Sequence, residues 1–130
     1  MLVVVRISPE RIPDTGLAPE ARPGVGALAE FRGLVRGEEA GRPIGGLVYE
    51  AYQPMAEREA SRILDELGAR HPCVAATVVH RVGPVPVGEA AIYVGITARH
   101  RAEAFAVLSG FMDRLKQDVP IWKTDILPAR

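Results

Sequence analysis

The sequence predicts an α+β fold with a largely antiparallel sheet and two main helices. Three observations carry that expectation. Three stretches of strand character precede the first helical pattern, so strands and helices do not alternate as a doubly wound parallel sheet requires. Residues 74–97 read as a hairpin-like pair of strands. Only two stretches place apolar residues at helical spacing. The 130 residues fit a single domain spanning 1–130. A chain of this size buries roughly two-thirds of its unfolded surface without disulfides or metals.

Leu2-Val3-Val4-Val5-Arg6-Ile7 is a strand by β-branched content. Pro9, Pro13, Pro19 and Pro23, with Gly16, break residues 8–23 into a loop with at most one helical turn. The run from Gly26 through Ala27-Leu28-Ala29-Glu30-Phe31-Arg32-Gly33-Leu34-Val35 forms a second strand. Residues 36–43 make a polar loop, and Gly46 to Tyr52 a third strand. Pro54 opens a helix, because proline suits a first helical position. Ala56, Ala60, Ile63, Leu64 and Leu67 line its apolar side, with Gly68 as the stop. Val74 to Val82 and Glu89 to Thr97 are strands, joined by a Gly- and Pro-rich turn at 83–88. A second helix begins near Ala98 to Arg101 and carries Ala104, Phe105, Leu108, Phe111, Met112 and Leu115. Pro120 breaks it after Lys116. Ile121 and Trp122 are extended, and Thr124 to Arg130 is a short loose tail.

Composition excludes several classes of function. Hydrophobic residues are 48% and charged residues 25%, and the formal net charge is zero, which excludes disorder as the main state. No apolar run approaches the ~18 residues of a membrane span. The start, Met1 to Arg6, is too short and lacks the basic residues of a signal peptide. One cysteine excludes a disulfide framework and a Cys-based zinc site. A cytoplasmic location is the resulting expectation. Sixteen basic and sixteen acidic residues cancel, against nucleic-acid binding. The first 65 residues balance at −2 and the remainder at +2, a mild asymmetry.

Fourteen of the sixteen basic residues are Arg, and the two lysines are Lys116 and Lys123. Chance retention is one reading. A chemical need for an amine is the other, since Arg cannot give up its proton and Lys can. A turn at Pro120 would let the two meet. At about 6 Å and an effective dielectric near 20, their repulsion would be roughly 2.8 kcal/mol, enough to bring one towards acid, base or nucleophile chemistry.

Other chemistry is sparse. His71, His80 and His100 are scattered and lack acidic companions at helical spacing, so no metal site is expected. Gly24-Val25-Gly26 is a turn fragment, not a phosphate loop. Cys73 reads as a small buried residue. His100 and Arg101 stand at the start of the second helix, where free N–H groups favour anions. Sixteen residues of helix span about 24 Å, so they cannot meet Lys116 on one isolated helix. Arg36 could enter a pocket from its Gly-rich loop.

Several stretches together make the chain resemble the catalytic (large) subunit of molybdopterin synthase. They are Gly26-Ala27 with Phe31-Arg32-Gly33-Leu34-Val35-Arg36, Tyr49-Glu50-Ala51-Tyr52 with Pro54-Met55, and His80-Arg81-Val82-Gly83. Gly88-Glu89, His100-Arg101 with Ala104-Phe105, and Met112 through Leu115-Lys116 to Pro120-Ile121-Trp122-Lys123 complete the set. In this order they are highly specific, and they span about three-quarters of the chain.

The resemblance implies an α/β-hammerhead fold and a sulfurtransferase with no cofactor of its own. It implies conversion of cyclic pyranopterin monophosphate into molybdopterin by adding the two dithiolene sulfurs. The sulfur would come from a small ubiquitin-like carrier ending in a Gly-Gly thiocarboxylate. Two catalytic subunits would form a central homodimer, with a small subunit at each end of a heterotetramer. By position, Lys116 matches the main catalytic group and Lys123 its assistant. Arg36, His100 and Arg101 match residues that hold the phosphate and pterin. In a dimer, the His100-Arg101 end could serve the neighbour's pocket. Phe31, Met112 and the tyrosines are expected in core or interface.

Two departures from the family pattern stand out. Gly37-Glu38-Glu39 follows Arg36 where the family often has neutral polar residues, and two acids beside a phosphate are unhelpful unless they point away. The chain ends seven residues after Lys123, where the family usually continues, so closure by a tail is not carried over. An alternative reading is a non-catalytic scaffold that binds the small carrier. A phosphate-ligand or single-strand nucleic-acid binder is disfavoured by zero net charge and 5% aromatic content.

Overall fold

A computed structural model describes all residues, 1–130. The chain order is β1 (Leu2–Ser8), β2 (Ala27–Leu34), β3 (Glu38–Glu39), β4 (Arg42–Ala51), α1 (Gln53–Arg70), β5 (Ala75–Arg81), β6 (Gly83–Pro86), β7 (Ala90–Ala98), α2 (Arg101–Asp118) and β8 (Ile121–Pro128). The larger sheet runs β1-β5-β7-β2. β1 and β5 are parallel, with Val5 opposite Val78; β5–β7 and β2–β7 are antiparallel. The smaller sheet is built on β4, which pairs antiparallel with β3, β6 and β8. The α+β expectation therefore holds.

Both helices lie on one face of the larger sheet. Ala56, Ala60, Ile63 and Leu64 recur at i, i+4, i+7 and i+8 along α1; Ala104, Val107, Phe111 and Leu115 do the same work on α2. They meet Val78, Val94 and Ile96 in the main core. Burying a side chain of this size contributes about 1.5–3 kcal/mol, so this interface is the principal stabilising layer. The opposite face is covered by the Pro-rich segment, whose Ile12 packs with Val79, Ala90 and Tyr93. β7 is thus buried at every position, which explains its unbroken apolar run. On the surface, Glu66 joins Arg62 on its own helix to Arg114 on α2.

Four expectations need correction. Residues 124–130 are not a loose tail: through Pro128 they continue β8, held along β4 from Ile121–Ala51 to Pro128–Ile44. Gly45 makes this possible, because a Cβ there would collide with the Pro128 carbonyl. The 83–88 turn contains β6, an edge strand whose prolines lose nothing by lacking an N–H on the outer side. The polar loop at 36–43 contains β3 and the start of β4. Finally, α1 passes Gly68 and ends at Arg70. Gly68 instead admits the Met1 side chain, and the helix stops where His71 must be extended before Pro72. Val119, before Pro120, ends α2 for the same reason, at φ −93 and ψ 126.

Candidate active site

The connection between α2 and β8 places the two lysines. Lys116 is in the last turn of α2. The chain turns at Val119–Pro120, where the Tyr52 N–H donates to the Pro120 carbonyl at 3.1 Å, and Lys123 follows on β8. This bond ties the turn to the start of α1 and so fixes where β8 begins. Both lysines are exposed.

Lys123 stands opposite Tyr49 in the β4–β8 register. The register shifts beside this pair: Val48 faces Asp125 and Tyr49 faces Lys123, leaving Thr124 as the extra residue. A bulge of this kind re-aims the side chains around it. The Lys123 ammonium lies 3.7 Å from the Glu39 carboxylate. Together with Leu47, Thr124, Asp125 and Ile126, these two residues line a cavity of about 380 Å³. Glu39 arrives there because β3 and β4 form a tight hairpin through Ala40 and Gly41, with φ of 51 and 78. Of the two acids in this loop, Glu39 therefore points at a lysine.

Tyr49 is half-buried, and its phenol is pushed above the ordinary range, first by burial and then by the Glu39 charge. Its ring meets His80 edge-on, 5.3 Å between centroids. His80 is buried, which holds it below the usual imidazole value and keeps it neutral. The neutral ring then donates from Nδ1 to the Arg81 carbonyl at 2.8 Å.

Arg36 is exposed, between buried Val35 and the β3–β4 hairpin. It leads into the strand that carries Glu39. His100 and Arg101 are at the opposite end of α2 from Lys116. His100 is the residue at the helix start, and no side chain caps the first-turn N–H groups. One chain thus gathers Lys123, Glu39 and Tyr49, places Lys116 across a short turn, and leaves His100 and Arg101 remote. Sequence reasoning missed Tyr49 and His80 as neighbours of the lysine strand. The signal was the Tyr49-Glu50-Ala51-Tyr52 run, whose alternation puts Tyr49 on the same face as Leu47.

Cys73 is half-buried against the main core, its thiol facing the Glu103 carbonyl at 3.5 Å. Burial and the Glu103 charge push it up to about 11, so it is a protonated thiol at neutral pH. The largest groove, about 970 Å³ between β1 and α1, contains none of the candidate residues.

Comparison with known proteins bears on this arrangement. The model of the MoaE protein family matches residues 7–118. The molybdopterin synthase catalytic subunit of Pyrococcus abyssi is 39% identical over 113 residues, covering 87% of this chain and 76% of the relative. Molybdopterin synthase from Staphylococcus aureus superposes with a TM-score of 0.84 at 31% identity, over 96% of this chain and 92% of that one. The molybdopterin biosynthesis MoaE protein from Burkholderia ambifaria superposes at 0.79 with 28% identity, over 99% and 91%. The chain belongs to the MoaE protein family, the catalytic subunits of molybdopterin synthase.

Proposed function

We propose that this subunit takes sulfur from the C-terminal Gly-Gly thiocarboxylate of a small ubiquitin-like carrier and places it on cyclic pyranopterin monophosphate. In this reading it works in the cytoplasm as a homodimer within a heterotetramer. Lys116 is the main catalytic group and Lys123 its assistant. A fixed cation beside the carrier's terminal carbonyl steadies the thiocarboxylate and the charge that develops as sulfur leaves. Arg36, His100 and Arg101 hold the substrate's phosphate and pterin, and the guanidinium fork suits a phosphate. His100 and Arg101 then serve the pocket of the neighbouring subunit, since α2 separates them from Lys116 in their own.

The observation that carries this reading is the Pro120 turn, which sets the chain's two lysines on either side of one short connection. The test is reconstitution. Purified protein, thiocarboxylated carrier and cyclic precursor are mixed, and the dithiolene pterin is measured. Product that requires all three components is expected. No product, with carrier and precursor shown competent using another synthase, would replace this reading with a carrier-binding scaffold.

A further inference from the structure

Glu39 is a feature of the lysine site that the proposed chemistry does not use. It sits on a two-residue strand, next to a tight turn that limits where its side chain can reach. Its carboxylate meets the Lys123 ammonium at 3.7 Å, and about half of the lysine side chain is still exposed. It is also close enough to Tyr49 to act on the phenol. The cavity around Lys123 holds a second acid, Asp125. The lysine therefore begins with an internal anion beside it, in a site that must accept an external one.

We propose that Glu39 is a positioning residue for Lys123: its carboxylate holds the ammonium against the smaller sheet and is displaced when an anionic group enters the cavity. This rests on the proposed function above, in which Lys123 assists Lys116, and extends it so that Lys123 also faces the carrier's anionic tail. The geometry makes the internal ion pair a competitor of the incoming anion. An exposed pair of this kind is weak, so it yields to a correctly docked carrier tail while lowering its apparent affinity. Glu39 touches no reacting atom in this scheme. It acts through the lysine, and its effect falls on binding, with the chemical step unchanged.

The experiment compares Glu39→Gln with the unaltered protein, using Glu38→Gln as the control from the same hairpin. Thiocarboxylated carrier is titrated at saturating cyclic precursor. For Glu39→Gln, KM for the carrier is expected to fall about threefold with kcat changed by less than twofold. The difference should shrink at high ionic strength, where the pair is screened. Glu38→Gln should match the unaltered protein. An unchanged KM, or a fall in kcat at constant KM, overturns the proposal. A second readout is independent of turnover: the rate of amine-directed acylation at Lys123, followed by peptide mass spectrometry. Faster labelling in Glu39→Gln supports the ion pair, and equal labelling overturns it. If the unaltered protein makes no product, the functional reading fails, while the labelling arm still decides whether Glu39 holds Lys123.

Discussion

Lys116 and Cys73 represent two ways in which a single side chain's surroundings set its chemistry. Lys116 lies exposed in the last turn of α2, so its replacement disturbs little packing. Lys116→Ala is expected to lower kcat by about 10²–10³-fold, the usual loss of an electrostatic stabiliser, with carrier docking retained in a pull-down. Lys116→Arg divides the roles: recovered turnover marks a need for charge alone, continued loss a need for the amine. Cys73 makes the opposite case. Its thiol, raised from 9.0 to about 11, has about a hundredfold less thiolate at pH 8 than an unperturbed group. Alkylation by iodoacetamide should accelerate about that much when urea unfolds the chain; equal rates in the two states would contradict this. The lysine pair was legible because Arg is used almost everywhere else. The partnership of Glu39 with Lys123 was not, because it joins residues 84 positions apart through two strand pairings.

The β3–β4 hairpin shows how much an element depends on its turn. Positive φ at both Ala40 and Gly41 is the type I′ pattern that matches strand twist. Gly41 accepts it without cost; Ala40 pays about 1 kcal/mol for its Cβ. Ala40→Asn should therefore stabilise the protein by about 0.5–1 kcal/mol, a rise of a few degrees in Tm by calorimetry. An unchanged or lower Tm would mean the turn is not under this strain. The helices and long strands were legible from periodicity and β-branched content. The hairpin was hidden in a polar loop, and β6 in a Gly-Pro-Val-Pro run that reads as a turn. β8 was harder still. Residues 124–128 show no alternation and are mostly exposed, so their extended state comes from backbone pairing with β4 and not from their own side chains.

Across the whole molecule, His80 stands where the two sheets meet, at the end of β5 and against Tyr49 of β4. Its burial holds the folded imidazole below its ordinary value. The unfolded chain takes up a proton as pH falls through about 6.5, so in that window it binds more protons than the folded state. Stability then rises with pH: the histidine's contribution is complete above the ordinary value and is lost on acidification. Urea midpoints measured from about pH 7.5 down to pH 5 should fall more steeply for the unaltered protein than for His80→Gln. Parallel profiles would remove His80 as the cause.

The strand that carries Lys123 also completes the smaller sheet. Its partner β4 precedes it by more than half the chain's length. During synthesis, β4 leaves the ribosome before both β6 and β8, and its β8 partner is missing while both helices and the rest of the larger sheet emerge. On the roles proposed for the two lysines, activity waits until β8 has emerged and paired with β4. A nascent chain already folded around α1 and α2 has no Lys123 in place, and a truncated product would keep most of its core while lacking the lysine arm.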